Sequence, residues 1–142
     1  MRTDLTFTIV KPTAFNKGQL GQIVDLILKN GFKIVGMKMT KMDKEKAESF
    51  YGVHREKPFF ESVVKYMTSG PIVVAVLQKE NAIADYRELI GETDPLKAKY
   101  GTIRKMYAES KEANAVHGSD SDENAMIEIS QFFSIEELLL EN

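Results

Sequence analysis

Between Leu5 and Val10 the side chains alternate, with Leu5, Phe7 and Ile9 to one side and Thr6, Thr8 and Val10 to the other. That pattern predicts a β-strand, ended by Pro12. Leu20, Ile23, Val24, Ile27 and Leu28 then recur at the spacing of one helix face, so residues 19–30 are expected to be helical, with Gly31 as the stop. A second strand is predicted from Phe32 to about Met42, and Asp43 stands where it can cap a short helix carrying Ala47, Phe50 and Tyr51. Pro58 is expected to open a further helix, with Phe60, Val63, Val64 and Met67 inward and Gly70 at its end.

The uninterrupted apolar run from Ile72 to Leu77 predicts a strand buried on both faces. Asn81 is read as the cap of a helix through Ile83, Tyr86 and Ile90, closed by Gly91. From Gly91 to Asn114 the pattern weakens into a long polar loop with one helical turn around Ile103 to Tyr107. A loop of that length in a compact domain is usually functional. Ala115, Val116 and His117 read as a strand stub. A final long helix starts near Ser121, with Ala125, Ile129, Phe132 and Phe133 on one face, and Ser134 with Glu137 makes a capping box for a last turn. This order predicts an α+β fold in a single domain over residues 1–142. Its expected form is a ferredoxin-like βαββαβ sandwich with a four-stranded antiparallel sheet and added helices.

Composition narrows the functions open to such a domain. The 142 residues include no cysteine, which excludes disulfides, thiolate metal sites and a cysteine nucleophile. Nineteen basic against twenty-one acidic side chains leave a net charge of −2, which gives nucleic-acid binding little support. No apolar stretch approaches the ~18 residues of a membrane span, and no signal peptide is evident, so cytoplasmic residence without membrane contact is expected.

Common phosphate-binding and metal motifs fail one by one. The glycines at 31 and 36 have P-loop spacing, but Met37 and Lys38 stand where Lys and Ser or Thr are required. There is no glycine-rich dinucleotide fingerprint, and the two histidines are far apart in sequence. His54 lies in a charged connection and reads as a surface residue. His117 ends an apolar stub, precedes a glycine and leads into a helix N-terminus, a rigid platform facing any anion above it.

The segment Asn114-Ala115-Val116-His117-Gly118-Ser119-Asp120-Ser121 resembles the active-site signature of nucleoside diphosphate kinases. Five further blocks match that family in order and spacing: residues 8–12, 57–60, 66–71, 91–95 and 101–104. The resemblance implies a ping-pong reaction in which His117 takes the γ-phosphoryl group of a nucleoside triphosphate, typically ATP, as a pros-phosphohistidine and passes it to a nucleoside diphosphate. An imidazole is largely unprotonated near neutral pH, so such a nucleophile needs no separate base.

By the same correspondence Glu128 orients His117, and Tyr51 and Ser119 lie close to the imidazole. Lys11, Arg87, Thr93 and Arg104 converge on the phosphates, Lys11 and Asn114 hold the ribose, and Phe59 stacks on the base. Asp120 helps to hold Mg²⁺ through water, with no dedicated protein cage. Stacking tolerates any base, so broad nucleotide specificity follows. Family members assemble as tetramers or hexamers, and the loop near residues 91–101, with Pro95, Leu96 and Tyr100 outward, is expected at a subunit contact.

Three positions depart from the family pattern: Thr13 replaces a usual aspartate, Tyr100 a proline, and Lys111 a residue that is commonly apolar. None removes a group that phosphoryl transfer needs. A catalytically silent nucleotide-binding protein on the same fold is the alternative. The complete set of His117, Lys11, Arg104, Asn114 and Glu128 argues against it.

Overall fold

The structure, a computed structural model, describes residues 2–142. Strands β1 (Leu5–Val10), β2 (Lys33–Thr40), β3 (Ile72–Gln78) and β4 (Val116–Gly118) form one sheet in the order β2-β3-β1-β4. All three pairings are antiparallel. Helices α1 (Pro12–Asn16) and α2 (Leu20–Lys29) join β1 to β2, and α3 (Lys44–Phe50) and α4 (Phe60–Met67) join β2 to β3. Helices α5 (Ala82–Ile90) and α6 (Ile103–Tyr107) precede β4, and α7 (Asp122–Ser130) follows it. This is the expected ferredoxin-like order, with extra helices where a plain hairpin would link β2 to β3.

The alternation in β1 separates two cores. All six of its residues are buried. Phe7 and Ile9 pack with Phe50, Val64, Met67, Ile129, Phe133 and Leu138 on one face. Val10 packs with Ile23, Ile27, Tyr86, Ile90 and Ile103 on the other. The sheet is therefore the middle layer of three, and β3, buried at every position, meets the expectation for its apolar run.

Several local signals act as read. The Asp43 side chain accepts from the Lys46 N–H at 2.7 Å, and Ser134 and Glu137 form the capping box. Others act differently. Pro12 ends β1 but also begins α1, because its fixed φ suits a first helical position and its missing N–H would have no helical partner there. Pro58 lies in the turn before α4, which begins only at Phe60. Asn81 makes no side-chain cap; it turns the chain by adopting a left-handed conformation, φ 56°, which asparagine tolerates. The last helix stops at Ser130, so Phe132 and Phe133 lie beyond it. The chain folds back there, and Phe133 still reaches the core.

Gly91 closes α5 at φ 88°, and a Cβ built there would sit 2.7 Å from Thr102 Cβ. Gly91→Ala therefore suffers both backbone strain and overlap with a buried side chain. We expect a loss of about 2–3 kcal/mol in stability, read as a lower urea midpoint at unchanged slope.

Candidate active site

β4 is an edge strand held by β1, with His117 opposite Ile9 in the register. The Thr8 hydroxyl donates to the His117 carbonyl at 2.7 Å, and the Tyr86 hydroxyl reaches Thr8 Oγ1 at 2.6 Å. Burial raises the Tyr86 pKa, so its phenol stays protonated as a donor. Gly118 permits this packing, since a Cβ there would lie 3.0 Å from both Ile90 and Tyr86.

The imidazole Nε2 of His117 lies 2.8 Å from Glu128 Oε1. The same carboxylate oxygen accepts from Ser119 Oγ at 2.7 Å, and Ser119 Oγ in turn accepts from the Phe7 N–H at 3.0 Å. One carboxylate thus links β4, the start of the final connection and α7. With Glu128 ionised and the imidazole neutral, the proton sits on Nε2 and Nδ1 keeps a free lone pair. Phe50 meets the imidazole in an edge arrangement, with centroids 5.3 Å apart and planes at 78°. The Tyr51 hydroxyl is buried without a hydrogen-bond partner. Burial, then the nearby Glu128 charge, raises its pKa, leaving a protonated donor still to be used.

A second group of side chains surrounds a cavity of about 330 Å³ lined by Arg87, Gly91, Thr93, Lys99, Thr102 and Arg104, among others. Arg104 donates to three carbonyls: Gly91 through Nη1 at 3.0 Å, Val116 through Nη2 at 2.9 Å and Asn114 through Nε at 3.3 Å. Burial lowers its pKa to about 10, and it remains charged at neutral pH. Lys11 Nζ donates to Asn114 Oδ1 at 2.7 Å. Burial first, and then Arg104, lowers the Lys11 pKa to about 7, with Glu112 acting the other way.

Phe59 stands outside that cavity. Its ring is 46% exposed and lies 5.5 Å from the ring of His54, which is half-buried rather than freely solvated. Asp120 is exposed and accepts from Asn124 Nδ2 at 2.6 Å, whereas the cap of α7 is Ser121. No cluster of three or more His, Cys, Asp or Glu able to hold a metal occurs among the described residues. A lone exposed carboxylate suits a Mg²⁺ ion that keeps its waters and binds mainly to substrate phosphates. Thr13 receives the Tyr66 hydroxyl at 2.8 Å, so this departure from the family pattern ties α1 to α4.

Two features of the surrounding structure are not legible in the sequence. Phe50 looks like an ordinary core residue in the helical pattern, and nothing in the sequence marks its contact with His117. Ala115 takes φ 75°, which no alanine announces.

A histidine with one nitrogen tied to a carboxylate, on a strand whose Val116 carbonyl is held by an arginine that lines a cavity together with Arg87, Lys99, Glu88 and Glu92, is the equipment of a phosphoryl-transfer enzyme. The nucleoside diphosphate kinase family model matches residues 4–138. The nucleoside diphosphate kinase of Chlorobium limicola is 52% identical over 134 residues, which is 94% of this chain and 96% of that protein. That of Granulibacter bethesdensis is 52% identical over 98% of this chain and 99% of its own. Among solved structures, the Aquifex aeolicus nucleoside diphosphate kinase superimposes with a TM-score of 0.93 at 46% identity, covering 96% of this chain and 99% of that one. A halophilic nucleoside diphosphate kinase from Halobacterium salinarum in complex with CDP gives 0.93 at 36% identity, over 99% and 94%. The chain belongs to the nucleoside diphosphate kinase family.

The lowered Lys11 pKa has a consequence for stability. Between pH 7 and the ordinary lysine range the unfolded chain holds a proton that the folded chain has released, so stability rises with pH through that window. Lys11→Met removes this dependence. Urea unfolding from pH 7 to 9.5 should show the wild type gaining stability relative to that variant as pH rises; a constant difference would contradict it.

Proposed function

We infer that this chain moves the γ-phosphoryl group of a nucleoside triphosphate to a nucleoside diphosphate in two half-reactions, with His117 as the carrier. The contact of His117 Nε2 with Glu128 carries this reading, because it leaves Nδ1 as the nucleophile. The Nδ1 lone pair forms the bond to phosphorus while the bond to the β–γ bridging oxygen breaks and the diphosphate leaves. The imidazole becomes cationic as that bond forms, and the Glu128 carboxylate at Nε2 offsets the charge. Ser119 donates to the same oxygen and holds the carboxylate in place. The second half-reaction reverses these steps on another diphosphate.

Arg87, Thr93 and Arg104, which share one cavity, would hold the phosphates and neutralise transition-state charge. The unpartnered Tyr51 hydroxyl would donate at the reacting histidine. Lys11 and Asn114, already hydrogen-bonded to each other, would take the ribose. The half-exposed Phe59 ring offers a stacking face without base-edge readers. The relative in complex with CDP supports acceptance of pyrimidines. Mg²⁺, held through water by Asp120 and directly by substrate phosphates, would supply charge neutralisation. Cytoplasmic residence belongs to the same reading, since nucleoside triphosphates are the substrates, and one domain spans residues 1–142.

The working form is a homo-oligomer, a tetramer or hexamer. Leu96 is 85% exposed and Tyr100 92%, apolar groups on one loop suited to a contact between copies. Tyr100→Asp should shift light scattering toward smaller species; an unchanged assembly would remove this loop from the interface.

Incubation with γ-labelled ATP should place base-stable, acid-labile phosphate on the wild type and none on His117→Ala. Chasing the labelled protein with ADP, GDP, UDP or CDP should release the label in each case. Label on the alanine variant would overturn the assignment of the carrier, and retention against both pyrimidines would overturn base tolerance.

A further inference from the structure

Two residues before His117 the backbone is forced into a conformation that alanine resists. Ala115 has φ 75° and is buried, and the Val116 N–H donates to the Asn114 carbonyl at 2.9 Å, closing a three-residue γ-turn. A turn of this hand is rare and strained, and a non-glycine residue stays in it only where its surroundings hold it. Among the described residues the one other non-glycine with positive φ is Asn81, a type that adopts such angles readily.

What holds the turn is visible. Arg104 donates to the carbonyls on both of its sides, Nε to Asn114 and Nη2 to Val116. The Lys11 N–H takes the carbonyl of Ala115 itself at 2.9 Å. The third Arg104 bond, from Nη1 to Gly91, ties the turn to the end of α5. Charge-assisted bonds of this kind are stronger than neutral ones, and two from one half-buried guanidinium, with the Lys11 N–H, can outweigh one strained residue.

We propose that Arg104 is a positioning residue as well as a phosphate ligand: its guanidinium clamps the strained turn at residues 114–116 and thereby sets the place of the His117 imidazole. This rests on His117 being the phosphoryl acceptor. The two duties are compatible, because a guanidinium has five N–H donors and three carbonyl bonds leave two for an anion. A lysine keeps the charge at this position but lacks the planar fork that reaches separate carbonyls at once.

The test uses four full-length proteins: wild type, Arg104→Lys, Ala115→Gly and the double variant. His117 is phosphorylated by phosphoramidate, a donor with no nucleoside for the rest of the site to bind. Arg104→Lys should react about tenfold more slowly, with NMR showing changed chemical shifts of the His117 imidazole. Ala115→Gly, which makes positive φ undemanding, should restore most of that rate in the double variant while changing the wild-type background little.

A charge-only or purely structural role would give no such rescue. Equal rates for Arg104→Lys and wild type would overturn the clamp, and so would a double variant as slow as Arg104→Lys. If Arg104→Lys fails to fold, recovery of folding and labelling in the double variant carries the same meaning, and failure of both overturns the proposal. A wild type that takes no phosphate on His117 would overturn the carrier assignment instead.

Discussion

Six consecutive buried residues in the central strand β1 require cover on both faces of the sheet. A strand with one wet face could have left β4 as a bare edge. Here α2 and α5 cover one side, while α3, α4, α7 and the C-terminal segment cover the other. Because β4 is bonded only to β1, it inherits helices on both sides. Arg87 and Arg104 approach from the elements around α5 and α6, and Glu128 and Phe50 from α7 and α3. Double burial of β1 is thus what turns a short edge strand into an enclosed catalytic platform.

Polar groups drawn into that enclosure satisfy one another in chains. Glu128 answers both His117 and Ser119; Ser119 answers Phe7; Tyr86 answers Thr8, which holds the His117 carbonyl. An unpaired polar group in such surroundings is costly, so the bonds select one arrangement of the nucleophile. The Tyr51 hydroxyl, within reach of the Glu128 charge, is an exception, buried without a partner.

The helix carrying Glu128 is pinned at its far end as well. Lys46 donates to the Gln131 carbonyl and Lys38 to that of Phe132, where the helix has run out of its own N–H donors. Both lysines lie beside phenylalanine rings, Lys46 over Phe132 and Lys38 over Phe133, each 4.7 Å from the centroid. Phe132 stacks on Phe7, which borders His117. The chain beyond α7 is therefore part of the frame of the site, although it supplies none of the reacting groups.

Strand alternation, helix periodicity and capping residues are local properties, and local sequence by itself determined the four strands, most of the helices, their order and the Asp43 and Ser134 caps. The His117 signature and its companion blocks identified the family, because phosphoryl transfer requires particular side chains at particular spacings. What a residue does at an element boundary depends on what lies across from it, and there only the tertiary structure decided. Pro12 begins a helix, Asn81 turns left-handed, and Phe133 reaches the core from beyond α7. The same holds within the site. The shared oxygen of Glu128, the edge contact of Phe50 and the three carbonyls gathered by Arg104 join segments far apart in the chain. Such meetings leave no periodic trace in sequence, since they arise only when separate elements pack around the two faces of β1.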